Sequence, residues 1–174
     1  MTRVKRIALW SAVTVVVAVA GIWGYAVTSV VTDFRNLLVC SHGAIPIIPK
    51  ALCQSYLFNF GGKPDDIADL NRDSGVEWAI NAKDETDRKK LLSFLIKKGV
   101  DINAIDRSGL SSLHAATLMN DLPKVELLLN NGASPLVKDQ NSGMNSLELA
   151  LDRQGKPGEP DRSAIIRLLK TASG

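Results

Sequence analysis

The chain has 174 residues, 21 basic and 18 acidic side chains, a formal charge of +3, two cysteines and two histidines. Three of the basic residues, Arg3, Lys5 and Arg6, precede a long uncharged run, and all 18 acids follow it, so the remainder carries no net charge. The basic balance is therefore a feature of the first six residues, which excludes a nucleic-acid footprint.

From Ile7 to Thr32 no residue is charged. This run exceeds the ~20 residues that a bilayer-spanning helix needs. A helix apolar on every face needs lipid or a far larger domain around it. The basic residues lie before the span, which predicts a cytoplasmic N-terminus (1–6), a transmembrane signal-anchor (7–32) and everything else outside. Trp10, Trp23 and Tyr25 suit interfacial anchoring. A cleavable signal peptide is the alternative, with Ala18-Val19-Ala20 as a small-x-small site. Against it, the apolar run continues well past that site. Both readings put the rest of the chain on the same side of the membrane.

Residues 33–64 are expected to form a linker and capping segment. Cys40 and Cys53 both lie beyond the span, and an even count in an oxidising compartment suggests a disulfide. Closing so short a loop stabilises by on the order of 3 kcal/mol in the chain-entropy treatment. Two unrelated thiols or a redox pair are the alternatives, although the spacing is not C-x-x-C. His42 follows Cys40 closely, but nucleophilic catalysis needs a held base and a third group to orient it. Two Cys and one His also lack a fourth zinc ligand at a useful spacing. Gly61-Gly62-Lys63 is not a phosphate loop. Asp65, Asp66 and Asp69 read as a solvated helix start. No catalytic residue, metal site or cofactor is expected, and neither is a small-molecule substrate.

Residues 65–174 carry an internal echo. Phe94-Leu95-Ile96-Lys97-Lys98-Gly99 returns 33 residues later as Leu127-Leu128-Leu129-Asn130-Asn131-Gly132. A period of this size marks stacked helical hairpins. Leu91, Leu92, Leu95 and Ile96 recur at helical spacing, as do Val125, Leu128 and Leu129. Gly99 and Gly132 stand just past helix ends. Asp87 and Pro123 lie near helix starts. No stretch alternates well enough to build a sheet, so this part is expected to be all-α. Lys89-Lys90 and Lys97-Lys98 read as a solvated face.

Between the two echoes lies Asp106-Arg107-Ser108-Gly109-Leu110-Ser111-Ser112-Leu113-His114-Ala115-Ala116. This phrase resembles the ankyrin repeat, with Asp106, Gly109, Leu113, His114, Ala116, Leu128, Leu129, Gly132 and Ala133 on matching positions. Ser111 and Ser112 replace the family's Thr-Pro pair, and serine still caps a helix start. One period back, Trp78, Ile80 and Ala82 fall on a first helix, with Asn81 in place of the histidine. One period on, Asp139, Gly143, Leu147 and Ala150 match, with Glu148 in that place. An insertion around Lys156 to Pro160 follows and is expected to be a mobile loop. Tyr56 to Pro64 resembles Leu127 to Pro135 and is read as a degenerate half-repeat that caps the array. The resemblance covers about residues 50–174.

The resemblance implies an ankyrin solenoid of helix-turn-helix units with short hairpin fingers, preceded here by the transmembrane helix. It implies a structural role for Gly99, Gly109, Leu113, His114, Ala116, Gly132 and Gly143. It implies a protein-binding concave face built from first helices and fingers. On that face Ile105, Arg107, Lys138, Gln140 and Asn141 occupy variable finger places, and Leu118 and Met119 end the best-matched first helix. Ile105, at a fingertip, is expected either to pack on the adjacent finger or to stand exposed as a partner contact. The implied function is binding of a protein partner and not catalysis. Layout suggests a periplasmic immunity protein on a bacterial inner membrane, neutralising an envelope-active toxin such as a type VI secretion lipase effector. The alternative is a structural adaptor for an envelope complex.

Overall fold

The computed structural model describes residues 21, 22, 24, 25, 28, 30, 33–46, 48–73 and 75–174. The chain divides into two compact units, Met1–Gly61 and Gly62–Gly174. Among the described residues all regular structure is helical, apart from two isolated antiparallel bridges, Ile105–Ser111 and Lys138–Asn145. No helix among them is long and apolar enough to cross a membrane. Most of the expected span, 7–32, lies outside the described residues. Those of its residues that are described have helical backbone.

In the first unit, helix α1 (Phe34–Ser41) starts at Asp33, whose carboxylate accepts from the amides of Arg35 and Asn36 at 2.8 and 3.2 Å. This satisfies two of the donors that a helix start leaves open. Helix α2 (Lys50–Phe60) begins after Pro49 and packs on α1. Leu37 and Leu38 of α1 and Leu57 of α2 are fully buried. Cys40 and Cys53 are bonded, with Cα atoms 5.8 Å apart, and fasten α1 to α2. Gln54 adds a side-chain bond to the Ser41 carbonyl at 3.1 Å.

The second unit opens with α3 (Pro64–Asp73). Three helix pairs follow: α4 (Glu77–Ile80) with α5 (Glu85–Lys98), α6 (Ser112–Leu118) with α7 (Leu122–Asn130), and α8 (Ser146–Arg153) with α9 (Ser163–Ser173). The segment Tyr56 to Pro64, read above as one half-repeat, is thus split between units. Its first residues finish α2, whose Leu57 is spent on the first unit's core, and Pro64 begins α3.

Local sequence explains four of these starts. Asp84 caps α5 through the Asp87 amide at 3.0 Å, and Asp121 caps α7 through the Lys124 amide at 3.2 Å with Pro123 in the first turn. Helices α6 and α8 carry reciprocal capping boxes, Ser111 with His114 and Asn145 with Glu148. Helix α4 begins at Val76, which supplies no side-chain cap, and spans only four residues. Its Trp78 is half-buried. Leu91, Leu92, Leu95, Leu113, Leu128, Ile165 and Leu169 form the buried spine. Of these, Leu95 and Leu128 are positions that the 33-residue echo marks. Gly99 follows α5 in the left-handed region, and Gly132 adopts the same φ sign just after α7.

Candidate protein-binding face

The loops ahead of α6 and α8 are hairpin fingers, each built around one aspartate. Asp106 accepts from the Ser108 amide at 2.8 Å, the Ser108 hydroxyl at 2.6 Å and the Leu110 amide at 3.0 Å. Asp139, 33 residues on, accepts from the Asn141 amide at 2.8 Å and from the Ser142 amide and hydroxyl at 2.6 and 2.5 Å. The Ser142 hydroxyl, then its amide, lower the Asp139 carboxyl from 3.8 to about 2. A carboxylate held this way stays charged and keeps its turn folded.

Neighbouring fingers are latched to each other. The Asn141 side chain donates to the Ser108 carbonyl at 2.7 Å, and the Gln140 amide donates to the Gly109 carbonyl at 2.9 Å. Gly109 has φ +81, and a Cβ there would lie 2.9 Å from the Asn141 amide nitrogen. Only glycine permits both the turn and this approach. One period earlier, Arg107 donates to Asp73 from Nε at 2.9 Å and pairs with it through its terminal nitrogen at 2.7 Å. Asp73, Asp106 and Asp139 recur at the repeat interval.

His114 is fully buried and joins successive repeats. Its Nδ1 accepts from the Ser111 amide at 3.3 Å and lies 2.7 Å from the Ser111 hydroxyl. That leaves Nε2 to donate to the Met144 carbonyl at 3.2 Å. Burial holds the imidazole below its ordinary pKa of 6.5, and so neutral.

The structure divides the expected contact residues into two groups. Arg107 and Asn141 spend their side chains on finger-to-finger latches. Ile105 is half-buried at the base of its finger, in the bridge to Ser111, and is not an exposed tip. Lys138, at the equivalent base of the next finger, is exposed, as is Gln140. Met119, which ends α6, is 65% exposed, and Leu118 beside it is half-buried.

Sequence reasoning missed two further residues. Leu151 of α8 is 47% exposed and lies one 33-residue period after Leu118. Helices α6 and α8 are packed neighbours. Their C-terminal ends therefore carry Leu118, Met119 and Leu151 as an apolar patch, while Lys138 and Gln140 stand on the finger that leads into the start of α8. Arg162 is the other residue. It is 3% exposed, and its guanidinium donates to the Thr117 carbonyl and, at 3.0 Å, to the Leu118 carbonyl. It thereby satisfies the Leu118 carbonyl at the end of α6 and adds a second donor to that of Thr117, which also accepts from the Asn120 amide. Glu159 accepts from Arg162 and from Arg153, at 2.8 and 2.9 Å. Both arginines hold the Glu159 carboxyl below its usual range.

The insertion that contains Glu159 is accordingly pinned and not a free loop. Gln154 bonds Asp161 at 2.9 Å and accepts from the Arg162 amide at 2.7 Å, Lys156 pairs with Asp152 at 2.8 Å, and Asn120 donates to the Asp161 carbonyl at 3.1 Å. The charged and amide side chains of the insertion find partners on α8 and on Asp161 and Arg162 just ahead of α9.

Among the described residues no group of three or more His, Cys, Asp or Glu side chains could hold a metal ion. A groove of about 300 Å³ runs between α5 and α7, lined by Glu85, Arg88, Lys89, Glu126 and Asn130 with Pro123 and Leu127. Its Lys89 and Glu85 pair at 2.6 Å on a solvated surface. The arrangement suits a recognition surface: rigid fingers, exposed apolar helix ends, and polar groups at the edge.

The family model described as ankyrin repeats (many copies) matches residues 76–129, the span from the start of α4 to nearly the end of α7. The finger, capping box and bridge of residues 137–148 repeat the same construction beyond that match.

Proposed function

We propose that this ankyrin-repeat protein is a membrane-tethered binding module that neutralises a protein toxin on the periplasmic face of a bacterial inner membrane. Ankyrin repeats imply a protein–protein interaction role. The observation that carries the reading is the apolar patch of Leu118, Met119 and Leu151 on a scaffold whose fingers are latched through Arg107 and Asn141. Exposed apolar groups on a rigid surface make a partner contact, and the exposed Lys138 and Gln140 of the finger offer polar ones.

Two features support the tethered, extracytoplasmic placement. Cys40 and Cys53 are bonded, as suits an oxidising compartment. Within the expected anchor, Ile22 and Tyr25 are 70% and 76% exposed. There the Thr28 hydroxyl turns back onto the Gly24 and Tyr25 carbonyls at 3.0 and 2.9 Å. A hydroxyl satisfied by its own helix is tolerated in lipid. The small size, single anchor and net-neutral remainder suit an immunity protein acting on an envelope-active effector, a type VI secretion lipase being one such class.

The test is crosslinked affinity purification of the full-length protein from its native cells, with Met119→Asp/Leu151→Asp as a parallel bait. A single secreted protein, lost from the variant and inhibited by the wild type, is the expected result. Resident envelope proteins retained by both baits would overturn the inhibitory reading in favour of an adaptor.

A further inference from the structure

We infer that helix α2 lies in the headgroup region of the membrane that the chain is anchored in, with Leu52, Tyr56 and Phe60 facing lipid. This rests on the tethered reading above. Leu52, Tyr56 and Phe60 are spaced four residues apart, so they form one stripe on the helix. All three are exposed, Phe60 at 66%, and the Tyr56 and Phe60 rings touch with centroids 5.1 Å apart. The buried side of α2, Cys53 and Leu57, is used against α1. The stripe is left over after that packing.

Three observations name lipid as its occupant. First, the covalent path is short. The expected span ends at Thr32, and α1 begins at Phe34. Helix α1 has eight residues, roughly 12 Å at 1.5 Å per residue. The Cys40–Cys53 bond ties α2 to its far end. Helix α2 is therefore held within reach of the bilayer surface. Second, the charge is complementary. Between Asp33 and Asp65 there is no acid, but Arg35, Lys50 and Lys63 are present. Beyond the expected span this is a stretch of the chain with cations and no acid, which suits anionic headgroups. Third, the stripe is aromatic at its C-terminal end, and the exposed Ser55 and Asn59 border it. Aromatic rings beside a polar face are what the membrane–water interface selects.

The experiment uses the full-length protein in phosphatidylethanolamine–phosphatidylglycerol nanodiscs. A ketone-bearing amino acid at position 60, and separately at 59, carries a nitroxide, leaving both cysteines bonded. Electron paramagnetic resonance then compares relaxation by oxygen with relaxation by a water-soluble nickel chelate. The expected result is that the position 60 probe favours oxygen several-fold more than the position 59 probe, and less so in phosphatidylcholine alone. A water-like response at both positions would overturn the inference, as would exclusion of both reagents at position 60, the sign of a second copy or a partner covering the stripe. Protein that alkaline carbonate releases from native membranes would defeat the tethered reading itself, and this inference with it. Protein that is retained yet water-exposed at position 60 would defeat this inference alone.

Discussion

His114 on α6 reaches the Met144 carbonyl, thirty residues further along the chain, at 3.2 Å, and so ties one repeat to the finger of the next. The same ring seals the start of its own helix through Ser111. One buried side chain thus couples local capping to the stacking of repeats. A solenoid's stability is the sum of such neighbour contacts.

Replacing His114 by Ala should therefore cost about 2–3 kcal/mol, since the Met144 carbonyl and the Ser111 amide lose a buried partner. Acid should do part of the same damage. The folded imidazole has a pKa below 6.5, so the unfolded chain binds more protons as pH falls through that value. Stability is then fully present above about pH 6.5 and is lost as pH drops toward the folded pKa. Asp139 adds a second loss between pH 3.8 and about 2, where its carboxylate is finally protonated. Urea unfolding followed from pH 8 to pH 3 should show the first loss in the wild type, and it should be missing from His114→Ala.

Arg162→Ala should destabilise by about 2 kcal/mol, because it leaves the Leu118 carbonyl without its donor and removes one of two donors from the Thr117 carbonyl and from Glu159. Amide exchange should rise at the end of α6 and in residues 154–161. If only α9 responds, the guanidinium does not hold α6 in the way described.

Met119→Asp should leave thermal stability within about 0.5 kcal/mol of wild type, as expected of an exposed site. Partner affinity should fall at least about tenfold, some 1.4 kcal/mol. Leu151→Asp should behave alike. Calorimetric melting and titration of the captured partner separate the two effects.

Cys40→Ser/Cys53→Ser should cost the first unit about 3 kcal/mol. Amides of α1 and α2 should exchange faster, while those of α5 to α9 should not change. Uniform loss of protection along the chain would contradict the division at Gly61 and Gly62.

The repeats were legible because their signals are local. Asp84, Ser111, Asp121 and Asn145 cap helices within three residues of themselves, and the Leu128 echo of Leu95 is a core position in both hairpins. The disulfide partners were likewise legible from cysteine number and topology. What was hidden acts at a distance. Nothing near Arg162 in sequence says that its guanidinium caps a helix 44 residues earlier. The insertion looked loose because its Gly and Pro content was visible, whereas its partners Asn120 and Arg153 lie on other elements. Arg107 and Asn141 looked like free contacts because finger-to-finger latches have no sequence pattern of their own. Leu151 was within reach, since Leu118 one period earlier had already been singled out. Ile105 stands at a bridge to Ser111, a pairing that no local sequence pattern marks.

The most direct test of the binding face is site-specific photocrosslinking in native cells. Benzoylphenylalanine would replace Met119 or Leu151 at the helix ends, and Glu126 or Asn130 in the groove between α5 and α7. The account predicts that one and the same protein is captured from Met119 and Leu151, and not from Glu126 or Asn130. Capture from the groove positions alone would contradict it and move recognition to the second helices.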